Sequence, residues 1–196
     1  MIKLESVRFN NIRSLLNNDY IDLKPLTILV GKNSVGKSTF ARTFPLLRQS
    51  SEANKKSPLL WYGKYVDFGD YDTAINKYNK SNGIDLGFKF KFSPIEIINI
   101  FDQSYTLRSQ FGYTIHEALS NTKKNIELET NLNFNKKNDQ SYNYKIDILF
   151  LNYNITILIE NNNLEVIIDD RKYNLNTDKT YTISQQKIFP SIELDH

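Results

Sequence analysis

The stretch GKNSVGKST, residues 31–39, is where residue types and spacing could do chemistry. Gly31, Gly36, Lys37 and Ser38 satisfy the pattern G-x-x-x-x-G-K-[ST]. Two glycines let the main chain curl until successive N–H groups converge, and a helix that follows adds the positive end of its dipole. Such a concavity suits a phosphate. Lys37 would reach the distal phosphate oxygens, the Ser38 hydroxyl would take one position on a Mg²⁺ ion, and Thr39 would support the proximal side. Lys32, Asn33, Ser34 and Val35 complete the loop between the two glycines.

Flanking elements must hold that loop in shape. LTILV at 26–30 is a continuous apolar run, which predicts a strand buried on both faces. Behind the loop, Phe40, Phe44 and Leu47 recur at i, i+4 and i+7, which predicts a helix starting near Gly36 or Lys37 with one buried face. Pro45 predicts a kink or an early end to that helix. In front, IKLESVRFN at 2–10 alternates and then shifts phase, as a strand with a bulge does, and YIDL at 20–23 reads as a short second strand.

Residues 51–65 read as a loop, and a short helix is expected from about Asp70 to Lys80. IDLGFKFKF at 84–92 alternates with period two and is a strand. SPIE at 93–96 has the form of a capping box, although the β-branched residues after it argue for a strand instead. From 126 onward, strand-like runs separated by Asn, Asp and Lys turns predict an antiparallel meander.

Composition bounds the function. At 196 residues, with 40% hydrophobic and 24% charged residues, the chain is of globular type and can bury a substantial core. Its net charge of +3 is too small, and its lysines too scattered, to argue for nucleic-acid binding by themselves. The absence of cysteine excludes disulfides, thiolate nucleophiles and cysteine-based zinc sites. Neither a leader pattern nor a membrane-spanning run is present, so a cytoplasmic location is expected.

FNNIRSL at 9–15, followed by IDLKPLTILVGKNSVGKST, resembles the opening of ABC-type ATPases of the SMC, RecF and OLD kind, grouped with bacterial AAA-family ATPases. Asn11, Arg13, Ser14 and Asn33 match that opening, while Ile12 stands where phenylalanine is usual. The resemblance is strong over residues 1 to about 75 and only architectural beyond. It implies an α/β fold: the N-terminal lobe of a P-loop NTPase, a mixed sheet with a P-loop helix, followed by an antiparallel β-rich subdomain. The corresponding division is 1–80 for the nucleotide lobe and 81–196 for the β-rich subdomain. It also implies ATP and Mg²⁺ as cofactors, Arg13 near the nucleotide phosphates, and Asn33 ordering the site. Full-length relatives of this kind act in DNA metabolism or anti-phage defence, as homodimers or larger assemblies, often with a nuclease or other effector, and DNA is a partner in some settings.

Hydrolysis by that class needs a metal-binding acid after a second buried strand, a water-orienting carboxylate and a glycine-rich signature loop. All seven glycines lie at or before Gly112, so no signature loop is legible and the catalytic carboxylate is unknown. LEVIIDD at 164–170 offers Asp169 and Asp170, yet its surroundings read as hairpin turns. Asp67, Asp70 and Asp72 read as a capped helix start, with a metal-side loop as the alternative. Gln49 lies too close behind the loop to be the Mg²⁺-contacting glutamine of the class, and His116 is isolated. The expectation is an ATP-binding part of an ABC/AAA-type ATPase, incomplete for hydrolysis by itself. The alternatives are a non-hydrolysing, nucleotide-dependent interaction module and, less well supported, a small-molecule kinase. No N-K-x-D element is present, which favours adenine over guanine.

Overall fold

The computed structural model describes residues 3–16, 19–52, 57–103, 117, 119, 124–138, 141–151, 153–160, 163–174, 181–184 and 191–194. Period-two alternation builds one eight-stranded sheet from β1 (Lys3–Asn10), β2 (Ile21–Asp22), β3 (Ile84–Phe92), β4 (Ile126–Asn138), β5 (Ser141–Phe150), β6 (Tyr153–Glu160), β7 (Asn163–Ile168) and β8 (Arg171–Asn174). Their order across the sheet is β2-β1-β3-β4-β5-β6-β7-β8. Every described pairing is antiparallel. A separate antiparallel pair joins β9 (Tyr181–Ser184) to β10 (Ser191–Leu194). Among the described residues, the helices α1 (Lys37–Glu52), α2 (Tyr71–Ala74) and α3 (Pro94–Gln103) accompany the strands.

Alternation also decides which face is covered. Val7, Phe9, Ile84, Leu86, Leu132, Phe134 and Tyr144 share the core with Phe40 and Leu46 of α1 and with Leu59, Trp61, Phe68 and Tyr71. Phe9 is the hinge of this packing, with ring centroids 5.3 Å from Phe40, 5.5 Å from Phe44 and 6.3 Å from Phe88. The opposite face is polar. There Arg8 pairs with Asp85 at 3.1 Å and Lys89 with Glu129 at 2.9 Å. The phase shift read in the first strand is a bulge between Leu4 and Ser6.

Several local expectations hold for the reasons given. Ser93 N–H and Oγ both donate to Glu96 Oε2 at 2.9 Å, so the capping box starts α3 and overrides the β-branched residues behind it. The meander from β4 to β8 closes on hairpins, and its last turn places Asp169 at φ 45° and Asp170 at φ 65°, the doubly left-handed pair of a tight hairpin turn.

Other expectations need correction. Residues 26–30 form no strand; Leu26, Ile28 and Val30 are 77%, 72% and 84% exposed, and only Leu29 packs against the core. A strand is buried on both faces only when neighbours flank it, and β2 already occupies the outer edge of β1. The mixed sheet that this run would have joined is accordingly an antiparallel one in its described part. The early end expected at Pro45 does not occur, since α1 runs on to Glu52. The N–H that Pro45 lacks would have bonded the carbonyl of Ala41, an exposed residue at which water can take over. The helix expected from Asp70 to Lys80 stops at Ala74, because Ile75 turns extended to bridge Ile12 and the Ala74 carbonyl accepts the Arg13 N–H at 2.7 Å.

Candidate phosphate-binding site

The glycine loop spans residues 31–36 and passes directly into α1, whose first main-chain bond runs from Phe40 N–H to the Gly36 carbonyl at 2.8 Å. The amides ahead of Phe40 therefore have no partner within the helix and face the loop. Gly36 is buried at φ 105°, and a Cβ there would fall 2.5 Å from Leu15 Cδ2. No other residue fits that backbone and that space. Ser14, Asn33, Ser34, Gly36, Lys37, Ser38 and Thr39 surround a cavity of about 170 Å³.

Lys37 reaches back across the loop, its Nζ donating to the carbonyls of Gly31 and Lys32 at 2.6 Å each. The ammonium is thereby held at the cavity by neutral acceptors, which a charged oxygen would outcompete. Among the described residues no three His, Cys, Asp or Glu side chains form a metal-binding group, and none of the cavity's lining residues is acidic. A cation beside this loop would draw its protein ligands from the hydroxyls that line the cavity, Ser38 among them, and the rest from phosphate oxygens and water.

The segment at 11–15 forms the neighbouring wall. Asn11 and Arg13 adopt left-handed backbones, φ 62° and φ 50°, each at a cost of about 1–3 kcal/mol. Main-chain bonds pay for this: Asn11 N–H donates to Leu15 O at 2.7 Å, Arg13 N–H to Ala74 O, and Asn76 N–H to Asn11 O at 3.1 Å. The Asn76 side-chain amide also donates to the Arg13 carbonyl. So clamped, the segment turns Ser14 toward the cavity and Arg13 away from it. Arg13 lies over the Phe68 ring at 4.4 Å, with a guanidinium N–H donating to the Asp67 carbonyl at 3.5 Å. Partial burial, then the neighbouring Arg42, lowers the pKa of this guanidinium, and Asp67 pulls the other way.

Three residues that sequence reading did not single out for a role complete this region. Arg42 on α1 lies over the same ring at 5.6 Å and donates to the same Asp67 carbonyl at 3.1 Å. Phe68, fully buried, is the platform for both. Gln49, 3% exposed, holds the platform's loop to α1: its Nε2 donates to Leu60 O at 2.5 Å and Val66 O at 3.2 Å, and its Oε1 accepts from Tyr65 N–H at 3.1 Å and Val66 N–H at 3.0 Å. Only the i, i+4 spacing of Ser38 and Arg42 was visible beforehand.

Other sequence candidates go elsewhere. Asp67 Oδ1 accepts from Gly69 N–H at 2.6 Å, Asp70 caps α2 by accepting from Thr73 N–H at 2.8 Å, and Asp72 pairs with Lys136 at 2.9 Å. Hydrogen bonds donated by the Thr73 hydroxyl and then by its N–H lower the Asp70 pKa. Asp169 belongs to its hairpin, its Oδ1 accepting from Asn154 N–H at 2.9 Å. His116 lies outside the described residues.

A glycine loop opening a helix, with a lysine and four hydroxyl side chains around an acid-free cavity, has the make-up of a phosphate-binding loop. A family model described as AAA ATPase domain matches residues 2–194, and the chain belongs to that family, a membership that points to ATP binding. This is consistent with the SMC, RecF and OLD-like class. Comparison with curated proteins found no match, and comparison with solved structures found none either. Among the described residues no helix is long and apolar enough to cross a membrane.

Proposed function

We propose that this chain binds ATP with Mg²⁺ through residues 31–39 and serves as the nucleotide-binding part of an SMC/RecF/OLD-like ATPase head. Residues 1–80 form the nucleotide lobe in this reading, and 81–196 the β-rich subdomain that extends its sheet. The observation that carries it is the cavity of about 170 Å³, walled by unpaired helix-start amides, Lys37 and the hydroxyls of Ser14, Ser38 and Thr39. The nucleotide fits this donor set, because every residue that lines the cavity offers at least one donor to oxygen and none is acidic. When bound, Mg²⁺ would neutralise phosphate charge and link it to Ser38. Gly31 and Gly36 shape the loop, Lys37 provides its cation, and Lys32, Asn33, Ser34 and Val35 carry its amides. Residues of the 11–15 segment fix the second wall.

Two features support incompleteness for hydrolysis. The cavity's lining holds no carboxylate to orient water, and the apolar run at 26–30 leads into the loop with three side chains in solvent. Such a run is suited to receive further strands of an ATPase head, which would bring the missing acids. Assembly as a homodimer or larger complex, a nuclease or other effector partner, and a role in DNA metabolism or anti-phage defence follow from the class. A non-hydrolysing interaction module is the second reading, favoured by the same acid-free lining.

Calorimetric titration with MgATP, run beside a phosphate-release assay, tests this. Binding by the parent and a loss of roughly tenfold or more in affinity for Lys37→Ala are expected, the worth of one charge-assisted phosphate contact. Equal affinities would sink the reading. Sustained phosphate release by the purified chain would eliminate both the interaction-module reading and the claim of incompleteness.

A further inference from the structure

Antiparallel pairing sets Ile84 of β3 opposite Phe134 of β4, so the turn at 80–82 that leads into β3 lies beside the last residues of β4. This register gathers lysines that the sequence keeps apart. Lys80, Lys136 and Lys137 line one concavity of about 350 Å³, larger than the cavity of about 170 Å³ at the glycine loop and sharing no lining residue with it. Its floor is held in place by one side chain. Tyr71 Oη donates to Asn135 Oδ1 at 3.1 Å and Asn135 Nδ2 donates to Ser81 O at 3.1 Å, so Asn135 ties α2, β4 and the Lys80 turn together. Tyr71 and Ile75, 5% and 2% exposed, back the concavity with apolar surface.

Charge selects what this concavity takes. Asp72 is the one carboxylate among its described lining residues, and it pairs with Lys136 at 2.9 Å. Three ammoniums with one carboxylate leave a surplus of positive charge among the lining residues, and Lys80 has no ion pair with a described residue. Gathered like charges attract an anion, and an ammonium binds phosphate oxygens as a point charge. We propose that Lys80, Lys136 and Lys137 form a second anion site, which takes a small phosphate-bearing molecule with its phosphate on the lysines and its organic body against Tyr71 and Ile75. The body is included because the volume is that of a small-molecule pocket rather than of a lone phosphate. This site stands independently of the reading of the glycine loop. A polynucleotide backbone is the competing source of phosphate, but it requires a basic track. Elsewhere on the sheet Lys89, Lys145 and Lys172 are each paired with a carboxylate, at 2.9, 2.9 and 2.7 Å, and extend no such track.

The experiment is an amide-resolved NMR titration of the full chain with inorganic phosphate and with ribose 5-phosphate, a phosphate that carries an organic body. It compares the parent, the double variant Lys80→Gln with Lys137→Gln, and Lys37→Ala, with sodium chloride of equal ionic strength and a single-stranded oligonucleotide as further titrants. Lys80 and Lys137 are exposed, and unchanged melting curves establish that the double variant folds. Saturable shifts are expected at 72–80 and 135–138, tighter for ribose 5-phosphate than for phosphate. They should persist in Lys37→Ala and weaken about tenfold in the double variant, while shifts at 36–39 do the reverse. Shifts at 72–80 and 135–138 that sodium chloride reproduces, or that the double variant leaves unchanged, would overturn the site. Their loss in Lys37→Ala would overturn it too, by showing that they are relayed from the glycine loop. Tighter binding of the oligonucleotide than of ribose 5-phosphate at these residues would refute the small-molecule class. Absence of shifts at 36–39 in the parent, with those at 72–80 and 135–138 intact, would count against the loop reading and leave the second site standing.

Discussion

Removing the Gln49 side chain should loosen the platform on which both arginines rest, and the size of the effect can be worked from its four bonds. In Gln49→Ala, the Val66 N–H loses its acceptor inside a buried residue, at a cost of about 1–3 kcal/mol. Leu60 O, half-buried, loses its donor for about 1 kcal/mol. Val66 O keeps its bond from Gly63 N–H at 3.1 Å, and Tyr65 N–H, on a partly exposed residue, can rehydrate. The space vacated adds about 1 kcal/mol. The total of roughly 3–5 kcal/mol corresponds to a fall in melting temperature of about 10 °C. Gln49→Glu is the isosteric control: its carboxylate still accepts from Tyr65 and Val66 but turns an oxygen toward the carbonyls of Leu60 and Val66, so at pH 7 it should destabilise at least as much. Urea denaturation followed by circular dichroism measures both. Either variant lying within about 0.5 kcal/mol of the parent would refute the idea that Gln49 ties the 60–68 loop to α1.

Further expectations follow from other groups. Tyr144 is 2% exposed and its hydroxyl has no hydrogen-bond partner among the described residues, so Tyr144→Phe should raise stability by about 1 kcal/mol; a loss on denaturation would contradict the packing. Ile28→Lys should leave the melting temperature of this chain unchanged because Ile28 is exposed, and a clear fall would restore the buried strand that the structure does not contain. Burial raises the Asp85 pKa more than Arg8 and Asn10 lower it, so the folded state holds its proton to higher pH than the unfolded state does. Stability should therefore decline as pH rises through the window just above the ordinary carboxylate value, and Asp85→Asn should flatten that slope in melting curves from pH 3 to 6.

What was legible beforehand follows the range of the interactions concerned. The strands from β3 to β7 announce themselves because one face of each is apolar, and a period of two survives whatever the neighbours are. The start of α3 was written in four residues, Ser93 to Glu96, as a capping bond that needs nothing distant. The glycine loop was legible because its backbone demand at Gly36 excludes other residues. Residues 26–30 misled because an apolar run specifies affinity for neighbours without showing that neighbours are there. Likewise the helix after Asp70 was overestimated, since its end is set by Ile12 and Arg13, some sixty residues earlier in the chain. Arg42 and Phe68 escaped notice, and Gln49 was weighed only as a metal contact, because their roles arise only when α1 and the 60–68 loop meet.

The account stands on main-chain amides that grip a triphosphate. An amide-resolved NMR titration with MgATP reads those groups one by one. It predicts large shifts for Gly36, Lys37 and Ser38, with smaller ones through 31–35 and at Ser14, saturating together. Shifts confined to the polar face of the sheet, or no shift in the loop at saturating nucleotide, would contradict it.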